Sequence, residues 1–538
     1  MSARHRWWAV ALVFGIVAAW VPYRDLLWQL PWGSDASKWV RNGSLDNEAC
    51  WHFVTGAKHF IGYRPVTAAT FVLNQALFGY EAWSYRALDL ALHLGAGLLV
   101  FAVHRELTGR RDGWALVPMA LLLLHPATEE VVPYVARRSY LLAMAFGLGA
   151  VVVTLRGVGR TGRGEVAHAV VAGVLLGVAV LSNEVAYVLL PLMPLFAAHV
   201  APAGARIRAT AVTLPALALC VLAVLRRYWV LGVWGGGYGK RYFAIVSSTG
   251  RPMWRELSSW QPRRILEACW QYLLTPNSVA GDPALVDGDL GIAVSAVLFA
   301  WLVWFCVVRV ILRYDEREAR TAGLMGLWMA GSVAIIVLSQ TWFWRQAYSL
   351  LPPLGITLAI SVSAAVHAIR EREVPEVVQG LVAGWVLLGA VLRGPAIGGM
   401  DPAPHRGRMF GTEIVQQMRE LVAETSGPGI VWMVVPLRPP AAHLVRTWGD
   451  RLGATRGLQF RLLAHLDARS GPRDARVALV PNAVVLQRGL VFADNSLIDL
   501  LKPRDGALSL RALARQTHGE WIMVIDTDHT ESRSLTAP

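Results

Sequence analysis

Runs of apolar residues long enough to cross a lipid bilayer recur over most of this chain. A helix rising 1.5 Å per residue needs roughly 17–25 such residues to traverse the hydrocarbon layer. On that criterion the spans are Trp7–Tyr23, Ala87–Val103, Trp114–Leu124 with an extension toward Val135, Tyr140–Leu155, Val166–Leu181, Val185–His199, Thr210–Val230, Leu290–Leu312, Thr321–Ser339, Tyr348–His367 and Val377–Leu392. Composition supports a bilayer as the solvent: only 16% of the 538 residues are charged, against about 25% in a soluble domain. The 23 tryptophans suit the membrane–water interface, where an indole sits half wet. The expected fold class is an all-α polytopic membrane protein of about eleven transmembrane helices, covering residues 1–394.

Orientation follows from the basic loops. The connections after alternate spans read RELTGRRDG, RGVGRTGRGE, APAGARIR, RYDEREAR and HAIREREVPE, and the N-terminus reads MSARHR. The positive-inside rule puts all of them in the cytoplasm. The N-terminus is then inside, the C-terminus outside, and the long loops 24–86 and 234–289 lie outside too. A bacterial inner membrane fits, with the C-terminus in the periplasm. Span 1 starts like a signal peptide, but its exit VPYRDLLWQLPW has no small-x-small cleavage site and reads as a retained anchor. The net charge of +14 is almost all arginine, lysine occurring only at Lys38, Lys58, Lys240 and Lys502. That bias reads as genome composition, and no nucleic-acid partner is expected.

Beyond Leu392 the pattern changes. GTEIVQQMRELVAET has amphipathic helical spacing, while GIVWMVVPL, ARVALVPNAVVL and EWIMVIDTD read as strands. Residues 395–538 therefore form a small extracytoplasmic α/β domain, without a phosphate-binding glycine loop. Asp526 and Asp528 form a DxD-like string near the chain end with no second cluster beside it. Cys220 and Cys306 fall inside spans as packing residues. Cys50 and Cys269 both fall in outer loops, where a disulfide between them and two free thiols are both open readings.

Charge near membrane depth is costly and points to function. On the outer side the topology gathers Asp35, the stretch Tyr63-Arg64-Pro65, the block HPATEEVVPYVARRSYLL with Glu129, Glu130, Arg137 and Arg138, then Glu184 in LSNEVA, and Arg345 and Tyr348 in SQTWFWRQAYSLLPP. Arginine offers a planar fork to phosphate oxygens, and a carboxylate can take a proton. Each residue also has a plainer reading. Arg137 and Arg138 serve as interfacial anchors, Glu129 ends a helix, and Glu184 caps the next span at its positive end. His93 is then a satisfied bundle histidine, Asp35 a surface residue, and Tyr63-Arg64-Pro65 a turn before a helix.

Taken in order, Asp35, YRPVTAATFVLNQALFG, Asp89 with His93, HPATEEVVPYVARRSYLLA, SNE at a span head and a late RQAY resemble the polytopic glycosyltransferases of the GT-C fold. The resemblance is to protein O-mannosyltransferases, in particular the transmembrane ones that carry tetratricopeptide repeats. It covers residues 30–190 and, more weakly, 335–355. It implies a sugar donor on a polyprenyl phosphate, a protein or glycan hydroxyl as acceptor, and transfer with inversion. Carried over by position, Asp35 is the catalytic base and Glu130 the acidic residue after His-Pro. Arg138 is the arginine that follows it, and Glu184 the acidic residue opening the sixth span. Arg64 and Arg345 are implied donor-phosphate ligands, and His93 and Tyr348 are implied to line the substrate site. Some members of the wider fold use a divalent cation, so a metal at Asp35 is an open option, although no Cys/His metal spacing occurs.

The chain also departs from that pattern. Ser34 and Ala36 flank Asp35 where the family usually has two acidic residues. Asn183 stands where a lysine often precedes the glutamate, Tyr140 stands where an Asp often follows the arginine, and the C-terminal repeats are absent. Other readings therefore stand beside a protein hexosyltransferase (mannosyltransferase-like): transfer to a surface glycan or lipid, or a non-catalytic scaffold on the same bundle. A transporter should break its helices at the membrane midplane in a symmetric repeat, and neither sign is visible.

Overall fold

The computed structural model describes residues 3–24, 27, 39, 63–79, 82–125, 127–128, 131–160, 162–231, 317–338 and 344–371, together with strand residues 429–436, 458–466, 477–478, 521–524 and 533–535. Asp35, Glu129, Glu130, Cys50, Cys269, Cys306, Asp526, Asp528, the spans 290–312 and 377–392, the loop 234–289 and the helical stretch GTEIVQQMRELVAET lie outside the described residues.

Chain contacts divide the molecule into two units, Met1–Leu27 with Asn42–Asp401, and Trp28–Arg41 with Pro402–Pro538. The first is helical: α1 (Ala3–Tyr23), α2 (Pro65–Phe78), α3 (Ala82–Thr108), α4 (Leu116–Leu124), α5 (Arg138–Gly157), α6 (Arg163–Ser182), α7 (Leu189–Val200), α8 (Arg206–Leu231), α9 (Arg317–Leu338) and α10 (Leu351–Glu371). Among the described residues seven helices are long and apolar enough to cross a membrane, and Pro65–Phe78, Gly113–Leu124 and Glu184–Val200 are shorter apolar segments. This is an all-α polytopic membrane bundle.

Most helices outrun the apolar runs that predict them. Helix α3 extends from Ala82 to Thr108, and α8 from Arg206 to Leu231. The residues added to α3 pack inside the bundle, with Ser84, Arg86, His104 and Arg105 buried, whereas Arg206 and Arg208 at the start of α8 are exposed. The third span is shorter than expected. Helix α4 stops at Leu124, and His125 turns to φ −68°, ψ 136°, the extended conformation that the following Pro126 imposes. The predicted extension toward Val135 is therefore absent. Residues 131–133 form a turn, and Val135–Arg137 a 3-10 turn that leads into α5.

Short connections at residues 158–162, 183–188 and 201–205 make α5 through α8 alternate in direction, so α6 and α8 run parallel. Small residues set their spacing. A Cβ added at Gly173 would lie 2.8 Å from that of Ala216, so α6 and α8 touch there. Helix α10 is the most enclosed span, with 94% of its apolar window buried. It approaches α4 so closely that a Cβ on Gly355 would lie 2.7 Å from the Pro118 Cα. Helices α6 and α8 turn apolar faces outward instead, with Val166, Val170, Val174, Leu214 and Leu222 exposed.

The second unit carries a sheet in the order β3-β2-β1-β4-β5. Its strands are β1 (Gly429–Pro436), β2 (Leu458–Leu466), β3 (Val477–Ala478), β4 (Trp521–Val524) and β5 (Arg533–Leu535). Strand β1 pairs in parallel with β2 and β4, and the two edge strands are antiparallel. Strands β1 and β4 fall on GIVWMVVPL and EWIMVIDTD, β3 takes only two residues of ARVALVPNAVVL, and β2 is a strand that alternation had not marked.

Candidate functional site

One end of the helical unit collects the starts of α2, α3 and α5 and the ends of α4, α6, α8 and α9. The α6–α7 connection supplies the centre. Asn183 has extended backbone, and its Oδ1 accepts the Val185 N–H at 3.2 Å, capping the 3-10 turn Glu184–Val188. The cap is thus the asparagine, and the Glu184 carboxylate faces two arginines. Arg64, the residue before α2, donates from Nη2 to Glu184 Oε1 at 3.1 Å. Arg227, in the last turns of α8, donates from Nη2 to Oε2 at 2.6 Å. Each carboxylate oxygen takes one guanidinium.

The arrangement is braced on α5. Ser139 Oγ accepts from Arg64 Nη1 at 3.2 Å and from Asn183 Nδ2 at 3.0 Å, which uses both lone pairs of the hydroxyl. The neighbouring Tyr140 is within hydrogen-bonding reach of Arg345 and feels the charges of Arg64 and Glu184. Two guanidiniums therefore hold the carboxylate, and a third, Arg345, lies beside the adjoining Tyr140. Their side chains are enclosed: Arg227 is 1% exposed, Arg64 10% and Glu184 17%. Burial alone would raise the Glu184 pKa, but the charges of Arg227 and then Arg64 outweigh it and hold the carboxyl below the ordinary carboxylate range. Arg227 Nε and Nη1 make no well-aligned hydrogen bond, and the guanidinium lies beside Tyr187, 5.8 Å from its ring centre and within reach of its hydroxyl. A buried guanidinium with donors to spare suits an anion, since an unmet donor at such a place costs free energy.

Arg138 has a different environment. Its Nε donates to Asp89 Oδ1 at 2.6 Å and its Nη2 to the Tyr85 carbonyl at 3.0 Å. Nη1 reaches Thr70 Oγ1 at 3.5 Å, and the guanidinium lies 4.3 Å from the Phe71 ring centre. Arg138 is fully buried and Asp89 almost so. This arginine ties α5 to α2 and α3, and its nitrogens are taken up inside the bundle. Arg86 likewise donates to the Pro133 carbonyl.

His93 and Tyr348 form a third group. His93 Nε2 lies 3.4 Å from the Leu123 carbonyl, which can only accept, so Nε2 carries the hydrogen. Nδ1, 3.0 Å from the Tyr348 hydroxyl, is then the acceptor. Both residues are fully buried and link α3, α4 and the 3-10 turn before α10. The His-Pro block is a fold turn: His125 Nδ1 accepts the Ala127 N–H, and Thr128 Oγ1 donates to the His125 carbonyl and meets the Tyr23 hydroxyl.

Of the residues singled out in the sequence, the structure thus brings together Arg64, Glu184 and Arg345. It sets Arg138 with Asp89, and His93 with Tyr348, in separate buried groups. Sequence reasoning passed over Arg227, which ends an apolar span as half of an Arg-Arg pair and so looks like an interfacial anchor. It also passed over Ser139, whose small hydroxyl carries no charge signal. Among the described residues no three Asp, Glu, His or Cys side chains gather as metal ligands.

No protein-family model matches the chain, and no curated protein matches it. Similar solved structures include the archaeal oligosaccharyltransferase AglB from Archaeoglobus fulgidus in complex with an inhibitory peptide and a dolichol-phosphate. It is 12% identical with a TM-score of 0.46, over 84% of this chain and 64% of that one. Another is ArnT from Cupriavidus metallidurans bound to undecaprenyl phosphate, at 14% identity and a TM-score of 0.41, over 84% of this chain and 89% of that one. The chain thus spans 64% of the archaeal protein's length.

Proposed function

We propose that this protein is an inverting glycosyltransferase that moves a hexose-like, mannose-like sugar from a polyprenyl-phosphate donor to a hydroxyl acceptor at the outer face of a bacterial inner membrane. One observation carries the reading: two arginines hold a single largely enclosed carboxylate at one end of the bundle, Arg345 lies beside the adjoining Tyr140, and the buried Arg227 guanidinium has nitrogens that Glu184 does not take up. Such a site has more positive than negative charge in a poorly hydrated place, which suits a lipid-linked phosphate. The order of motifs from YRP to RQAY agrees with it.

In this reading Asp35 takes the proton from the acceptor hydroxyl, and Glu130 lies on the acceptor side. The acceptor oxygen attacks the anomeric carbon as the bond from that carbon to the phosphate oxygen breaks. Negative charge grows on the departing lipid phosphate, and Arg64, Arg227 and Arg345 stabilise it there. Glu184 is then a positioning residue. Its two arginines keep it ionised, so it is a poor proton acceptor, and it holds each guanidinium in place. Arg138, His93 and Tyr348 act from behind the site by locking α3, α5 and α10.

The test is deletion of the gene in its native host, complemented by wild type, Asp35→Asn or Arg227→Lys, with membrane levels checked by blot. Glycan mass on envelope proteins and on surface glycans is the readout. A hexose-sized mass that wild type restores and neither variant restores supports the whole reading and identifies the acceptor. Restoration by Arg227→Lys alone removes the phosphate role of Arg227 and leaves the transferase. A deletion that changes no glycan removes the transferase and favours a scaffold.

A further inference from the structure

The opposite end of the helical unit holds a cavity of about 240 Å³ between α5, α6, α7 and α8. Its inner wall is apolar, with Ala172, Leu176, Met193 and Leu217, and its mouth is polar, with Arg160 and Arg208. Along α8 it runs from Arg208 to Leu217, about 14 Å at 1.5 Å per residue. That is close to the depth of one leaflet, half of the roughly 30 Å hydrocarbon layer. The inner end coincides with the Gly173–Ala216 contact, where the two parallel helices touch. Both helices that flank the crevice turn exposed valines and leucines outward, as α1 and α2 also do. The outer faces of both helices are thus presented to lipid beside the crevice.

The mouth carries a surplus of positive charge. Arg163 starts α6, and Arg206 and Arg208 lie in the first turn of α8. A cation is disfavoured there, because a helix N-terminus is itself the positive end of the macrodipole. The first turn of α8 contains no acidic residue. Among the residues that line the cavity Glu165 is the one acid, paired with Arg208. Orientation in the membrane accounts for basic residues in these turns. It does not account for an apolar shaft of leaflet depth beneath them.

We infer that this crevice binds one anionic phospholipid of the adjacent leaflet, with an acyl chain in the shaft and the phosphate over Arg160 and Arg208. Basic mouths between membrane helices are suited to acidic head groups in this way. The site is separate from the arginine–carboxylate cluster and does not rest on the proposed transferase.

The test uses the full chain purified in detergent. Native mass spectrometry follows retained lipid after incubation with phosphatidylglycerol or with phosphatidylcholine of the same acyl chains. Wild type is expected to retain phosphatidylglycerol roughly ten-fold better. The Arg160→Gln/Arg208→Gln variant should lose that preference, and Ala209→Leu, which narrows the shaft, should lower retention of both lipids. Should the double variant fail to fold, Arg160→Gln alone should lower the preference several-fold. Equal retention of the two lipids by wild type overturns the inference, and so does a preference that survives both the arginine and the shaft substitutions.

Discussion

The two ends of the helical unit use arginine in opposite ways. At the end near Glu184 the ion pairs are buried and each closes a contact between elements distant in the chain: Arg64 and Arg227 on Glu184, Arg138 on Asp89. At the other end the pairs lie at the surface. Arg156 and Glu106 are 42% and 23% exposed, and Arg208 is 60% exposed beside Glu165. Arg317 there caps α3 by donating to the Glu106 and Leu107 carbonyls, satisfying groups that a helix C-terminus leaves open. Arg110 is the best held of this set, bonded to Asp112 and Glu318. Burial lowers its pKa, and the two carboxylates together more than reverse that. Similar residues thus define a costly, ordered site at one end and an inexpensive interface at the other. Burial makes the difference, since the partners are as far apart in the chain at one end as at the other.

Substitutions should separate the ends by size of effect. Glu184→Gln should be the most damaging, because it leaves two buried guanidiniums facing no charge. The cost expected is about 3–5 kcal/mol, read as a large fall in the melting temperature of the detergent-solubilised protein. Asp89→Asn should cost about 3 kcal/mol for the same reason, whereas the joint change Asp89→Leu/Arg138→Met should recover much of that loss. A joint variant as unstable as the single one would show that the pair does more than satisfy its own charges. Arg227→Lys keeps the charge that faces Glu184 but removes the fork, so it should alter melting little while transfer drops at least about ten-fold. Arg156→Gln, at the opposite end, should shift stability by less than about 1 kcal/mol, and a larger effect would erase the contrast.

Acid adds a further check. Glu184 is held below its unfolded pKa, so the folded state binds fewer protons there than the unfolded state. The stability it contributes is present above the ordinary carboxylate pKa and is lost as pH falls through the depressed folded value. Thermal stability should accordingly change little from this source between neutral and mildly acidic pH. It should fall only in strong acid, and in Glu184→Gln that acid-dependent component should vanish.

The sequence revealed the charges better than their partners. The apolar runs located each described span, because lipid demands them. Glu184 and Arg64 stood out through SNE and YRP. The Arg138–Asp89 pair could not be read, because its members sit 49 residues apart on different helices and only packing brings them together. Arg227 was hidden for a related reason: an arginine at the end of an apolar run is what any membrane helix shows, and only its inward direction sets it apart. The early stop of α4 was legible in His125-Pro126, where the proline disfavours helix at the residue before it. Reading hydropathy across that proline produced the extension that the structure lacks.

The inward arginine of α8 also bears on how the chain enters the membrane. Helix α8 is mostly lipid-facing, with only 17% of its apolar window buried, yet it carries Arg227 near its end. An arginine held within a lone helix in lipid is expensive, by about 2.5–3.5 kcal/mol at the centre on insertion scales. Synthesis runs from the N-terminus, so Glu184 precedes Arg227 by 43 residues and reaches the membrane first. The α6–α7 hairpin can receive the arginine as α8 leaves the translocation channel. A chain with Glu184→Gln should therefore show an added fault during biogenesis, with α8 inserting inefficiently before folding stability is ever tested.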